Sequence, residues 1–251
     1  MISIKDINKI FGENHVLRDV SFNFESGKTN LIIGESGSGK TTLLKVMIGL
    51  YESDSGVVKY DERNFTEMNF KQRKVLQKEI GMLFQGGALF DYMSTEENIM
   101  FPLNMFSEKS HEESLERVNF CLKRVNLENT NSLLPSELSG GMKKRVAIAR
   151  AIALNPKYLL CDEPNSGLDP KTSILIDNLI QEITQEYNIT TIVNSHDMNS
   201  VMEIGDNIAF IHKGQLWWSG NKDDLISYEN KELNDFVFAS KLFKKLRQKS
   251  N

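Results

Sequence analysis

The chain has 251 residues, 40% of them hydrophobic and 25% charged, with a formal net charge of −4. That length supports one large domain, or a domain carrying an inserted lobe, and the well-mixed charges leave no basic footprint of the kind nucleic acid requires, so no nucleic-acid partner is expected. Cys121 and Cys161 stand far apart without CxxC spacing, which gives neither a disulfide framework nor a zinc site, and no apolar run approaches the roughly 20 residues that span a bilayer.

The opening MISIKDINKIF lacks the apolar stretch of a secretory signal, and a reducing cytosol is expected. Ile2 to Phe11 and Val16 to Glu25 alternate apolar and polar residues around Gly12-Glu13-Asn14, the pattern of an antiparallel hairpin. Asn30 to Ile33 is a short apolar run ending in glycines, and Lys40 to Leu50 reads as a helix. From about residue 86 to 155 helical periodicity prevails; Leu115, Val118, Leu122 and Val125 share one face, which marks an inserted helical lobe. Tyr158 to Cys161 and Thr191 to Val193 read as buried parallel strands, joined by a crossover helix with Ile176, Leu179, Ile180, Ile183 and Tyr187 on its apolar face. Asn207 to His212 and Gln215 to Ser219 follow around a turn at Lys213-Gly214. The expected fold class is α/β, with a nucleotide-binding core over 1–225 and a helical, basic tail over 226–251 that carries Phe236, Leu242, Phe243 and Leu246.

Gly34-Glu35-Ser36-Gly37-Ser38-Gly39-Lys40-Thr41, followed by Thr42, fits the phosphate-loop pattern GxxxxGK[ST] between an expected strand and an expected helix. Glycines let the backbone wrap closely around phosphates, so that amide N–H groups and the positive helix end face the anion. Lys40 is expected to reach the β- and γ-phosphates of ATP and the Thr41 hydroxyl to ligate Mg²⁺. Leu159-Leu160-Cys161-Asp162-Glu163 places two carboxylates just beyond an apolar strand, where ligands of parallel sheets gather. Asp162 is then the Mg²⁺-side carboxylate, and Glu163 the group that polarises the attacking water. An isolated Asp-Glu pair would more simply be a solvated strand end; its company with Lys40 favours the catalytic reading.

Leu138-Ser139-Gly140-Gly141-Met142 precedes a helix-forming stretch, Lys143 to Leu154, and taken alone is an ordinary loop and helix cap. Set between a phosphate loop and Asp162-Glu163, however, LSGGMKKR resembles the signature motif of the ABC ATPase family, and the likeness runs from about residue 2 to 225. The resemblance implies a P-loop ATPase fold with an N-terminal antiparallel β subdomain and an inserted helical lobe. It also implies that Phe11 stacks on adenine, that Gln85 senses Mg²⁺ and the attacking water, that Ser166-Gly167-Leu168-Asp169 crosses a dimer interface, and that His196 contacts the γ-phosphate. A lone Phe or His would otherwise be read as core packing or a structural side chain. In this family two copies pair head to tail, so the resemblance implies a homodimer in which each ATP lies between Lys40 of one chain and Ser139 to Gly141 of the other. Integral-membrane permease subunits are the implied partners, on the cytoplasmic face of the inner membrane.

Within the family, Gly81-Met82-Leu83-Phe84-Gln85-Gly86-Gly87-Ala88-Leu89-Phe90-Asp91 is similar to the stretch LFQxGALF of the ATPases that serve MCE-protein phospholipid transport, and Met142 agrees with them. That likeness implies lipid as cargo, an MCE-domain lipid-binding protein as a further partner, and a cleft near Gln85 and Ala88-Leu89-Phe90 that receives a permease helix. Ala88, Leu89 and Phe90 would alternatively serve only to pack the lobe. A small-solute importer, a scaffold for cell-wall enzymes and a soluble ABC protein of translation or DNA repair are the alternatives; the last is disfavoured by a single cassette without a coiled-coil insertion.

Overall fold

The computed structural model describes residues 1–227 and 231–237. In chain order its elements are β1 (Ile2–Phe11), β2 (Asn14–Phe24), β3 (Thr29–Ile33), α1 (Lys40–Met47), β4 (Ser55–Tyr60), β5 (Arg63–Asn64), α2 (Phe70–Gln77), β6 (Ile80–Leu83), α3 (Thr95–Phe106) and α4 (His111–Arg124). There follow α5 (Gly140–Ile152), β7 (Tyr158–Asp162), α6 (Pro170–Glu186), β8 (Thr190–Ser195), α7 (Met198–Ile204), β9 (Asn207–His212), β10 (Gln215–Gly220), α8 (Lys222–Ser227) and α9 (Lys231–Val237). They form two compact units, one of residues 1–66 and 194–251 and one of residues 67–193, so that the boundary falls within β8.

In the first unit, β1 and β2 form the expected antiparallel hairpin, with Ile2 opposite Phe24 and Phe11 opposite Asn14. Ile2, Ile4, Ile7, Leu17, Val20 and Phe24 all turn inward, the outcome that alternation predicts for a sheet with one covered face. The strand order is β2-β1-β4-β5. A second set of strands runs β10-β9-β3, with β9 parallel to β3 and antiparallel to β10. Leu31, Ile32 and Ile33 have no exposed surface, which is why β3 reads as a continuous apolar run. Helix α1 stops at Met47, short of the expected Leu50, because Gly49 takes a left-handed φ of 78° just past the end.

In the second unit β6 pairs parallel with β7, Gly81 opposite Leu159, in the order β8-β7-β6. Gly81 permits close contact with α5: a Cβ there would lie 2.4 Å from the Ala151 carbonyl oxygen. Helices α3 and α4 start at capping boxes, Ser94 with Glu97 and Ser110 with Glu113. Val118, Leu122 and Val125 are buried as their spacing predicts. Arginines close the ends of neighbouring helices: Arg145 of α5 donates to the Val125 and Asn126 carbonyls after α4, and Arg117 of α4 donates to Ile152 and Ala153 at the end of α5. On the crossover helix α6, Thr184 Oγ1 donates to Ile180 O and shares a hydrogen bond with Thr191 Oγ1 of β8 at 2.6 Å.

Among the described residues no helix is long and apolar enough to cross a membrane. Of the tail expected over 226–251, Phe236 lies on α9 with its ring 5.4 Å from that of Phe210, while Leu242, Phe243, Leu246 and the closing run of lysines and arginine lie outside the described residues.

Candidate active site

The glycine-rich loop between β3 and α1 belongs to the first unit. Gly34 has φ 150°, and a Cβ on it would lie 2.2 Å from the Ile211 carbonyl oxygen of β9 and 2.9 Å from Ser38 Oγ. Gly39, at φ 109°, occupies the N-cap of α1. Lys40 is only 6% exposed, and its Nζ donates to the carbonyls of Gly34 at 2.8 Å and Glu35 at 3.0 Å, so the loop is curled about the ammonium. Ser38 Oγ is buried without a hydrogen-bond partner, an orphaned polar group of the sort a bound oxyanion would satisfy. Glu35, Ser36 and Gly37 are exposed, and Thr41 and Thr42 sit half-buried on the first turn of α1. From outside, Gly214 of the β9–β10 turn donates its N–H to Ser38 O at 3.1 Å and accepts from Arg18 N at 2.8 Å. That brace was not legible in the sequence, where Gly214 reads only as a turn residue.

Two further expected residues lie in this unit. Phe11 is not a core residue: it is 43% exposed at the end of β1, with the Tyr51 ring 5.2 Å away edge-on and Lys9 Nζ 5.1 Å from its centroid. His196 is exposed immediately after β8, before the Asp197 cap of α7.

The remaining expected residues lie in the second unit. Asp162 ends β7 and is 4% exposed; Glu163 follows it, half-buried, with a left-handed φ of 50° that turns the chain sharply out of the strand. Gln85 follows β6 with its residue exposed. Its carbonyl accepts a hydrogen bond from Nζ of Lys144, a side chain only 7% exposed. Burial pulls the Lys144 pKa below its ordinary value, against the electrostatic pull of Cys161, Asp162 and Glu163. Ser139 is the N-cap of α5, its Oγ accepting from Met142 N at 3.3 Å, so the bland reading of Ser-Gly-Gly as a helix cap is true of this chain whatever else the motif does. Asp169 caps α6 and accepts from Thr172 N at 3.0 Å and Thr172 Oγ1 at 2.5 Å, contacts that hold its carboxyl below the usual carboxylate range. Lys144, which holds the Gln85 carbonyl, and Thr172, which holds Asp169, carried no signal beyond helix propensity.

The donor set suits Mg²⁺. The expected donors, the Thr41 hydroxyl, the Asp162 carboxylate and the Gln85 side-chain amide, are hard oxygens of the kind Mg²⁺ takes alongside waters and phosphate oxygens.

The ABC transporter family matches residues 17–166, more than half of the chain. The chain belongs to the ABC transporter family. This ABC cassette is 40% identical to the methionine import ATP-binding protein MetN of Clostridium tetani, over 96% of this chain and 76% of that protein. It is 38% identical to MetN of Campylobacter jejuni, again over 96% and 76%. Among solved structures, the dimeric post-hydrolysis state of the ATP-binding cassette MJ0796 bound to ADP and Pi matches with a TM-score of 0.81 and 32% identity, covering 88% of this chain and 98% of that one. CbiO1 from Clostridium perfringens, part of the ABC transporter complex cbiONQ, matches with a TM-score of 0.82 and 28% identity over 99% and 98%. The expected α/β P-loop fold therefore holds, and the cassette binds ATP with Mg²⁺ and hydrolyses it. The finer expectation is corrected: these relatives are named for methionine import and not for MCE-protein phospholipid transport, so the local likeness around Gln85 and Met142 does not carry the cargo.

Proposed function

We propose that this cassette powers a small-solute importer, working as a homodimer beneath membrane-spanning permease subunits on the cytoplasmic face of the inner membrane. The observation that carries the reading is the set of relatives named for methionine import, matched along nearly the whole chain. The dimeric cassettes among the structural neighbours support the pairing. A solute-binding protein replaces the MCE-domain protein as the expected accessory partner. A small amino acid is the cargo class, and phospholipid is disfavoured.

In this reading each expected residue has one task. Lys40 neutralises charge on the β- and γ-phosphates, the backbone of Gly34 to Gly39 donates N–H groups to them, and Phe11 supports the base. Thr41, Asp162 and Gln85 would hold Mg²⁺, which when bound neutralises charge developing between the phosphates. Glu163 orients the attacking water and takes up its proton, and His196 steadies the γ-phosphate. Ser139, Gly140 and Gly141 of the second copy supply the N-terminal N–H groups of their α5, and Asp169 lies in the loop where copies meet.

The test is transport by the assembled complex in vesicles. ATP-dependent uptake of radiolabelled methionine, lost in Glu163→Gln, is the expected result. A complex that moves phospholipid between leaflets and no amino acid would overturn the importer reading while leaving the ATPase intact.

A further inference from the structure

The segment after β6 is fastened by residues that none of these roles uses. Its backbone takes a left-handed φ at two successive positions, Gly87 at 77°, which glycine adopts freely, and Ala88 at 49°, which an L side chain resists. For alanine the left-handed region is strained, so something must hold the turn. Arg150 of α5 does so, donating from Nη2 to Gly87 O at 2.7 Å and from Nη1 to Ala88 O at 2.8 Å. Its guanidinium also lies 5.9 Å from the centroid of Phe90, whose ring rests 4.8 Å from Phe101. Beyond the turn Asn98, fully buried on α3, accepts from Phe90 N and donates to the carbonyls of Phe90, Met93 and Ser94.

Upstream of the turn, Lys144 takes the Gln85 carbonyl. Burying a cation is costly unless it is paired, and Lys144 and Arg150 direct these hydrogen bonds to carbonyls of this one segment. Both stand on the helix whose first residues are Gly140 and Gly141, within about 15 Å of its start at the α-helical rise. Between the fastenings Gln85, Gly86 and Ala88 remain exposed.

We propose that Lys144 and Arg150 are positioning residues for ATP hydrolysis, locking the Gln85 segment to α5 so that Gln85 and the signature residues at the start of that helix move as one piece. The inference rests on the role given to Gln85 above. Neither cation touches the nucleotide; each acts through the backbone it holds.

The experiment compares Gln85→Ala, Arg150→Lys, Lys144→Met and the double variant Arg150→Lys with Ala88→Gly, measuring steady-state ATPase, affinity for a fluorescent ATP analogue, and Tm. Lysine at 150 keeps the charge but loses the fork that reaches two carbonyls. Arg150→Lys is expected to lower kcat about fivefold or more with nucleotide affinity within about twofold, the pattern of a group that matters in the transition state and not in binding. Glycine at 88 removes the left-handed penalty and is expected to restore at least about half of that loss, which a merely stabilising arginine would not show. Wild-type kcat in both Arg150→Lys and Lys144→Met, a loss that follows nucleotide affinity or Tm, or no recovery with Ala88→Gly would overturn the proposal. Normal kcat in Gln85→Ala would overturn the role of Gln85 and this inference with it; reduced kcat there beside normal Arg150→Lys would overturn the inference alone.

Discussion

Gly141 and Thr172 fit together only because the glycine lacks a side chain: a Cβ at 141 would lie 2.6 Å from Thr172 Cγ2. The threonine cannot turn its methyl aside cheaply, since its hydroxyl donates to Asp169 at 2.5 Å and its N–H to the same carboxylate. The signature motif and the loop ending at Asp169 are thereby in direct steric register within one unit. Gly141→Ala should gain about 1 kcal/mol in helix propensity and lose about 1–3 kcal/mol to overpacking. In a Thr172→Ser background, which keeps the hydroxyl and deletes the methyl, the same change should be more favourable by about 1 kcal/mol. Denaturant titration of the four proteins measures this coupling, and strict additivity would show that the two residues do not meet.

Lys40→Ala removes a buried cation that organises the loop and is proposed to meet the phosphates, with its bonds to Gly34 and Glu35 lost at once. Charge-assisted hydrogen bonds contribute about 1.5–3 kcal/mol each, so affinity for ATP should fall at least about tenfold. Titration with a fluorescent ATP analogue checks it, and wild-type affinity would remove Lys40 from the site.

Glu163→Gln preserves shape at a position where the backbone already sits at φ 50°. Binding should survive while hydrolysis slows at least about tenfold, a barrier rise of roughly 1.4 kcal/mol. With ATP persisting, the variant should run as a dimer on size-exclusion chromatography. Normal turnover, or a monomer with ATP bound, would count against the base and the pairing respectively.

Cys121 is fully buried, and burial raises its thiol from 9.0 to about 11, only partly opposed by Arg117. Cys161 has no exposed surface either, and burial pushes its thiol upward too. Both should resist iodoacetamide at about pH 8 and react on unfolding, because the thiolate is the nucleophile. Since the folded-state pKa of Cys121 is the raised one, its contribution to stability is intact below pH 9.0 and declines as pH rises toward about 11. Stability measured across that interval should fall; rapid alkylation of the native protein would contradict the burial.

Leu89 and Phe90 belong to the stretch expected to receive a permease helix. Both are partly buried, and Phe90 packs on Phe101 and beneath Arg150, so the plainer reading that they fill the lobe holds for Phe90. Tyr92, 76% exposed with its ring 6.0 Å from that of Phe90, carried no signal in the sequence.

What the sequence alone determined was whatever depends on local backbone chemistry and periodicity: the β1–β2 hairpin, the apolar strands β3, β7 and β8, the crossover face of α6, and a glycine-rich loop in which Gly34 and Gly39 leave no room for a Cβ. It did not show α2, where Phe70 and Val75 are exposed and Leu76 alone is buried, so no apolar stripe marks the helix. The two-residue β5 likewise carries too little pattern to read. Tertiary structure alone decided which carbonyls Lys144 and Arg150 would hold, that Gly214 would brace Ser38, and that Gly141 would need to clear Thr172. Long flexible cations reach across folds to backbone atoms that have no identity in sequence, and a steric clearance exists only once two distant segments are brought to contact distance.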